Sequence, residues 1–241
     1  DIPEGKRSTR GKSVMNFLSL AEGEKITSIL PMPKNKKEAE DLALMMITKN
    51  GTGKKSSAKH FHDVRRSGLI AITLEDGDEL MSASFVTKND NVVIATRDGQ
   101  SIRFAEDDVR EMGRNATGVR VIKLGKDDAV ISADIVSKDA KNPLLFVMGE
   151  HGYGKKTKLD EYKVQNRGGS GILTMNVTDK TGPLIAAKVV TDEIEEMVAM
   201  SKKSQVIRVN LTEIPTLGRS TQGVRVMKLR DGDSLASLIC L

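Results

Sequence analysis

A short glycine-punctuated phrase returns along this chain at intervals near fifty residues, and it restricts the possible fold more than any other feature. Gly113-Arg114-Asn115-Ala116-Thr117-Gly118-Val119-Arg120-Val121-Ile122-Lys123-Leu124 recurs almost intact as Gly218-Arg219-Ser220-Thr221-Gln222-Gly223-Val224-Arg225-Val226-Met227-Lys228-Leu229. Looser copies run from Arg66-Ser67-Gly68 to Leu74 and from Gly168-Gly169-Ser170-Gly171 to Val177. The shared glycines stand at 68, 118, 171 and 223, so the intervals are 50, 53 and 52 residues. That period is the range of propeller-type arrays rather than of helical solenoids.

Within each module a β-rich run, a tight turn and a second run form a hairpin. Val92-Val93-Ile94-Ala95-Thr96, the turn Arg97-Asp98-Gly99-Gln100 and Ser101-Ile102-Arg103-Phe104 are the clearest case, with Asp-Gly as the hairpin signal. Counterparts lie at Leu44–Thr48 with Asn50-Gly51, Leu144–Met148 with His151-Gly152, and Met197–Met200 with Lys203-Ser204. A polar connection then leads through the glycine phrase into a third run, and an acidic turn separates that from a fourth. Four strands per repeat is the content of a propeller blade, and no segment sustains a helical period over three turns. The expected fold is therefore all-β, with residues 1–241 forming one domain. Its blades are expected at 42–90, 91–143, 144–195 and 196–241, with 1–41 as the second half of another.

Composition removes several classes. With 38% hydrophobic residues in 241, the chain can bury a substantial core. Aromatics are only 3% and tryptophan is absent, which argues against the WD type of blade. Cys240 is alone and cannot form an intrachain disulfide, and no apolar stretch approaches the roughly 20 residues a membrane helix needs. The opening Asp1-Ile2-Pro3-Glu4-Gly5-Lys6-Arg7 lacks an apolar signal-peptide core, so a cytoplasmic location is expected.

Catalysis has little to stand on. His60, His62 and His151 have no cysteine neighbour and no established metal spacing, so they read as solvated loop residues and no metal site is expected. Gly5 to Ser13 imitates a phosphate-binding loop but carries one residue too many before Gly11-Lys12-Ser13. The acidic turns at Asp76-Asp78, Asp107-Asp108, Asp127-Asp128 and Asp231-Asp233 recur because the module recurs, and aspartate with glycine is what tight turns require.

Cations, by contrast, keep register. Lys plus Arg number 38 against 33 acidic residues, a net +5. Four residues after each hairpin-turn position stand Lys55, Arg103, Lys156 and Arg208, at spacings of 48, 53 and 52. Lys54 and Lys155 double the charge in two modules, and the glycine phrases add Arg10, Lys12, Arg65, Arg66, Arg114, Arg167 and Arg219. Cations at equivalent points of equivalent blades would form a ring or spiral suited to a phosphate backbone, whose contacts confer affinity without sequence reading. The same charges also suit plain solubility and blunted strand edges, and the residues alone leave both readings open. No interleaved aromatics recur in register for stacking on single strands, so duplex is the expected nucleic-acid partner.

Throughout its length the chain resembles the family of C-terminal domains of the DNA gyrase A subunit, which are β-pinwheels. The residues that carry the resemblance are Ile2-Pro3-Glu4 with Arg10-Gly11-Lys12, Gly77-Asp78-Glu79-Leu80, the phrases from Gly113 and Gly218, and Gly152-Tyr153-Gly154-Lys155-Lys156-Thr157. The resemblance implies wrapping of a duplex within a type IIA topoisomerase associated with the bacterial nucleoid, so that the holoenzyme introduces negative supercoils. Cleavage and ATP hydrolysis would then belong to the gyrase B subunit, or to the rest of the gyrase A subunit. The domain itself would need neither cofactor nor membrane. The family's basic glycine motif, Gln-Arg-Arg-Gly-Gly-Lys-Gly, has a degenerate relative here in Gln165, Arg167, Gly168, Gly169 and Gly171. The equivalent domain of topoisomerase IV and a propeller-like protein-interaction platform are the alternative readings.

Overall fold

Every module opens on a hairpin whose turn needs one residue with positive φ, and the sequence supplies glycine three times: Gly51 at 84°, Gly99 at 85° and Gly152 at 82°. The fourth turn uses Ser204 at 62° instead. The computed structural model describes residue 4 and residues 11–21, 23–33, 39–62, 64 and 68–241. Its strands are β1 (Ala43–Thr48), β2 (Thr52–Ser57), β3 (Leu80–Val86), β4 (Asn91–Thr96), β5 (Gln100–Ala105), β6 (Val119–Arg120), β7 (Val130–Val136) and β8 (Leu144–Gly149). There follow β9 (Tyr153–Lys158), β10 (Ile172–Leu173), β11 (Leu184–Val190), β12 (Glu196–Ser201), β13 (Val206–Asn210), β14 (Val224–Arg225) and β15 (Leu235–Cys240). Among the described residues the helical elements are all short 3₁₀ turns.

The sheets run β3-β1-β2-β6, β10-β5-β4-β7, β11-β8-β9-β14 and β13-β12-β15. A blade is therefore not one module. The two-residue strand of each glycine phrase crosses back to the preceding hairpin, so β6 completes the first blade, β10 the second and β14 the third. This corrects the expectation of four strands within each repeat, and it leaves the last sheet with three. The reason is local: after its second strand each chain turns through a 3₁₀ segment, such as Glu106–Asp108, and emerges beside the neighbour's hairpin rather than its own.

The long apolar runs are explained by where the cores sit. Strands β4 and β8 lie between two cores and feed both, since successive side chains point to opposite faces. Val92 and Ile94 join Phe104 and Ile47 on one side, while Val93 and Ala95 join Leu145 and Val147 on the other. Phe146 and Met148 then pack with Met197, Ala199 and Met227. Each such fully buried valine, leucine, isoleucine, phenylalanine or methionine contributes about 1.5–3 kcal/mol relative to an exposed one, so blade-to-blade packing is the main source of cohesion. The last central strand, β12, buries only one face: Met197 is 0% exposed and Met200 44%.

One edge of each sheet faces its neighbours directly. β3, β7, β11 and β15 pack side by side, and hydroxyls stitch them, Ser82 Oγ donating to Ala133 O at 2.9 Å and Ser132 Oγ to Ala187 O at 2.6 Å. The opposite edge, carrying β6, β10 and β14, is consequently the outer perimeter of the array. Three of the acidic turns prove to be latches, since Asp78, Asp128 and Asp233 accept the hairpin-turn N–H groups of Asn50, Asp98 and Lys203 at 2.9, 3.0 and 3.0 Å, while Asp107 and Asp108 lie instead in the 3₁₀ turn after β5.

Candidate nucleic-acid interface

Lysine placed in a strand between two sheets must either reach solvent or find acceptors for its three donors, because burying an unpaired ammonium is costly. Here it finds acceptors. Lys54 and Lys155 are 0% exposed, and Lys55 and Lys156 are 7% and 9% exposed. Lys55 Nζ donates to Glu106 O at 3.1 Å, Arg103 Nη1 to Leu159 O at 3.1 Å, and Lys156 Nζ to Leu211 O at 2.6 Å. Each acceptor is the first residue of the 3₁₀ turn in the following module. The register cation is thus a staple from one module to the next, and in the first case it also pairs with the Glu106 carboxylate. Arg208 has no such turn beyond it among the described residues; it is exposed and pairs within its own sheet with Glu196, Nε to Oε2 at 2.8 Å.

The second lysine of each doublet holds the glycine phrase itself. Lys155 Nζ donates to Gly218 O and Arg219 O, both at 2.6 Å, and to Thr221 Oγ1 at 3.0 Å. Lys54 Nζ holds Ala71 O at 2.7 Å and also Arg114 O. The expectation that Lys54, Lys55, Arg103, Lys156 and Lys155 line a phosphate track is therefore corrected: their charged ends are committed to main-chain carbonyls inside the array.

The remaining expected contacts divide. Lys12 is exposed, whereas Arg10, Arg65 and Arg66 lie outside the described residues. Arg114 is half-buried. Arg219 is also half-buried, and its Nη1 donates to Leu173 O at 2.9 Å. Arg167 is exposed but tied down, Nε to Asp108 O at 2.8 Å and Nη1 to Arg120 O at 3.0 Å. Gln165, Gly168 and Gly169 form a turn held between the second hairpin and the preceding glycine phrase, Gln165 N–H reaching Arg103 O at 2.8 Å and Gly168 N–H reaching Val121 O at 2.7 Å. Gly171, at φ 73°, ends that turn against β5.

What the perimeter does present are cations that the register argument passed over. Arg120 and Arg225 end the short strands β6 and β14, opposite Thr52 and Tyr153. Lys123 and Lys228 follow three residues on. All four are exposed, and none belongs to an ion pair among the described residues. Their signal was in plain view, since Gly-Val-Arg-Val-x-Lys-Leu is the part of the phrase that repeats most closely.

Burial acts on the held lysines as charge physics requires. It pushes the Lys155 ammonium down to about 8, with nearby Glu161 raising and Arg219 further lowering it, and it lowers Lys54 and Lys156 as well. Between about 8 and the ordinary lysine value the unfolded chain holds the extra proton, so this group's contribution to stability rises with pH across that window. Following the Lys155 side-chain resonances by NMR should give a midpoint near pH 8; a midpoint at the ordinary lysine value would show that the ammonium is not desolvated.

The chain matches the family model described as DNA gyrase C-terminal domain, beta-propeller, over residues 1–31, 43–87, 90–137, 143–191 and 195–241. It is 39% identical over 231 residues to the DNA gyrase A subunit of Lawsonia intracellularis, covering 96% of this chain and 28% of that protein. It is 38% identical over 238 residues to the DNA gyrase A subunit of Haloquadratum walsbyi, covering 98% and 28%. The chain thus spans little more than a quarter of the length of these curated relatives. Among solved structures it resembles a DNA gyrase A C-terminal domain, with a TM-score of 0.80 at 27% identity over 95% of this chain and 74% of the other. A C-terminal domain of DNA topoisomerase IV shares the fold, with a TM-score of 0.86 at 21% identity over 96% and 70%.

Proposed function

The chain belongs to the DNA gyrase C-terminal domain family, and on that footing we propose that it binds duplex DNA along its outer perimeter and bends or wraps it. In this reading it is a non-catalytic part of a gyrase A subunit. It works with the remainder of that polypeptide and with the gyrase B subunit, in the bacterial nucleoid, so that strand passage introduces negative supercoils. It requires no cofactor of its own.

The observation that carries the reading is the exposed Arg120 and Arg225 on the perimeter strands with Lys123 and Lys228 three residues beyond them, all free of ion pairs among the described residues. Exposed cations so placed suit contacts to phosphates, the chemistry of wrapping rather than of sequence recognition. The shared fold of the topoisomerase IV domain supports a second reading, positioning of a duplex for decatenation. The gyrase relatives at 39% and 38% identity favour gyrase.

Duplex affinity of this chain should fall linearly on a log–log plot as salt rises, with a slope of about −0.9 for each phosphate neutralised. Equilibrium titrations of a labelled duplex across a salt series measure it, and affinity that is indifferent to salt would remove the proposal. The complete holoenzyme, with both of its subunits present on relaxed circular DNA, then separates the two readings: negative supercoils support gyrase, and strand passage without them supports the topoisomerase IV role.

A further inference from the structure

The junctions between modules are of two kinds, and they alternate. At the first junction the acceptor strand β2 carries Lys54 and the arriving phrase carries Arg120 and Lys123. At the third, β9 carries Lys155 and the phrase carries Arg225 and Lys228. At the second, all three positions change together: Ile102 stands in place of the lysine, Leu173 in place of the arginine and Asn176 in place of the outer lysine. The doublet lysine beneath and the two cations at these rim positions therefore occur together or not at all, although Arg103 and Arg167 still stand at the second junction.

A physical link connects the two. Lys54 holds the carbonyl of Arg114 and Lys155 the carbonyl of Arg219, in each case six residues before the exposed arginine. Between them lies the turn that ends at Gly118 or Gly223 and delivers the short strand. In the second junction the turn is Gly168-Gly169-Ser170-Gly171, with positive φ at Gly168 and Gly171, and it closes without a lysine beneath it. A solubilising role for the rim charges would need no ammonium committed underneath them, nor would it skip a module.

We propose that a bound duplex is gripped at alternate junctions, by Arg120 with Lys123 and by Arg225 with Lys228, while passing over the second junction, where Leu173 and Asn176 hold the equivalent rim positions and Arg167 is tied to Asp108 O and Arg120 O. Lys54 and Lys155 are positioning residues for the two grips. The inference rests on the duplex-binding reading above and specifies where its phosphate contacts fall. It replaces one contact per module with a period of two modules.

The experiment is the salt dependence of duplex binding by this chain, compared among variants. R120Q/K123Q and R225Q/K228Q should each flatten the log–log slope by about two, at roughly 0.9 per lost phosphate contact. L173R/N176K should steepen it by a similar amount, because the duplex already runs over that junction. K155M, measured while folded as judged by circular dichroism, should flatten the slope as R225Q/K228Q does and add nothing to that double variant. If K155M does not fold, K54M makes the same test at the other junction against R120Q/K123Q.

A wild-type chain lacking salt-dependent affinity would bring down the duplex reading and this one with it. A steep wild-type slope that survives both glutamine pairs would leave the duplex reading standing and overturn the alternate grip. An unchanged slope in L173R/N176K would overturn the continuous path over the middle junction. An unchanged slope in folded K155M, or in folded K54M where that variant stands in, would overturn the positioning role.

Discussion

Alanine at Gly223 is expected to unlock the last blade from its neighbour. This glycine sits at φ 77°, and a Cβ there would lie 2.5 Å from Gly154 O, 2.8 Å from Gly154 C and 3.4 Å from Gly154 Cα. A left-handed conformation costs a non-glycine residue about 1–3 kcal/mol. The neighbouring atoms are backbone and cannot swing aside, so β14 must also draw away from β9, losing ladder hydrogen bonds worth about 1 kcal/mol each. Against this stands only the roughly 0.4–1 kcal/mol that alanine gains by restricting the unfolded chain. A net loss of about 2–4 kcal/mol follows.

Gly218 is the built-in control. It opens the same phrase and is as prominent in the sequence, yet its φ is not positive and the nearest atom to a built Cβ is Glu161 Oε2 at 3.9 Å. Gly218→Ala should leave stability within about 0.5 kcal/mol of wild type. Denaturant titrations of the two variants should place their midpoints far apart, with faster amide exchange at Val224 and Arg225 in Gly223→Ala alone. Equal midpoints would contradict the geometry that joins the blades.

Lys155→Met is the other large effect, and its sign is not obvious beforehand. Removing a buried ammonium relieves a desolvation cost, and replacing buried charge by an apolar side chain is neutral or stabilising where its partners leave with it. Here they cannot leave, because Gly218 O and Arg219 O are main chain and Thr221 Oγ1 stays in place. Gly218 O keeps the Thr221 hydroxyl as a donor at 2.9 Å, but Arg219 O is left without one at about 1–3 kcal/mol, and together with the loss of the charged hydrogen bonds this outweighs the relief. Calorimetry should show a fall in Tm of several degrees or more, at about 2–4 °C per kcal/mol for a domain of this size. The gap between the two proteins should widen as pH rises from about 8 towards the ordinary lysine value. Across that window unfolding of the wild type must take up a proton at Lys155, which opposes unfolding, and the methionine chain has no such uptake. A variant as stable as wild type at neutral pH would mean that water satisfies those carbonyls and that the lysine is not a structural bolt.

Much of the architecture was legible because it is written in local chemistry. Hairpin turns announce themselves through Asn50-Gly51, Asp98-Gly99 and His151-Gly152, which must turn with positive φ. The acidic turns are structural, as aspartate beside glycine in a tight turn suggests, since Asp78, Asp128 and Asp233 serve the hairpins they face. The site was less legible. Lys55, Arg103 and Lys156 keep perfect register, but register follows equally from a recurring contact inside the fold and from one with a partner outside it. Arg120 and Arg225, embedded among valines in short strands, are nevertheless exposed and unpaired among the described residues.

By itself the sequence determined the fifty-residue period, the all-β content, the turns and the family, because each depends on residue type and on neighbours a few positions away. Only the tertiary structure decided which hairpin a phrase completes and which cations are free. Strand pairing and burial are set by groups some fifty or sixty residues apart, as when Lys155 meets the carbonyl of Arg219, and no local pattern states whether an ammonium will face a carbonyl or water.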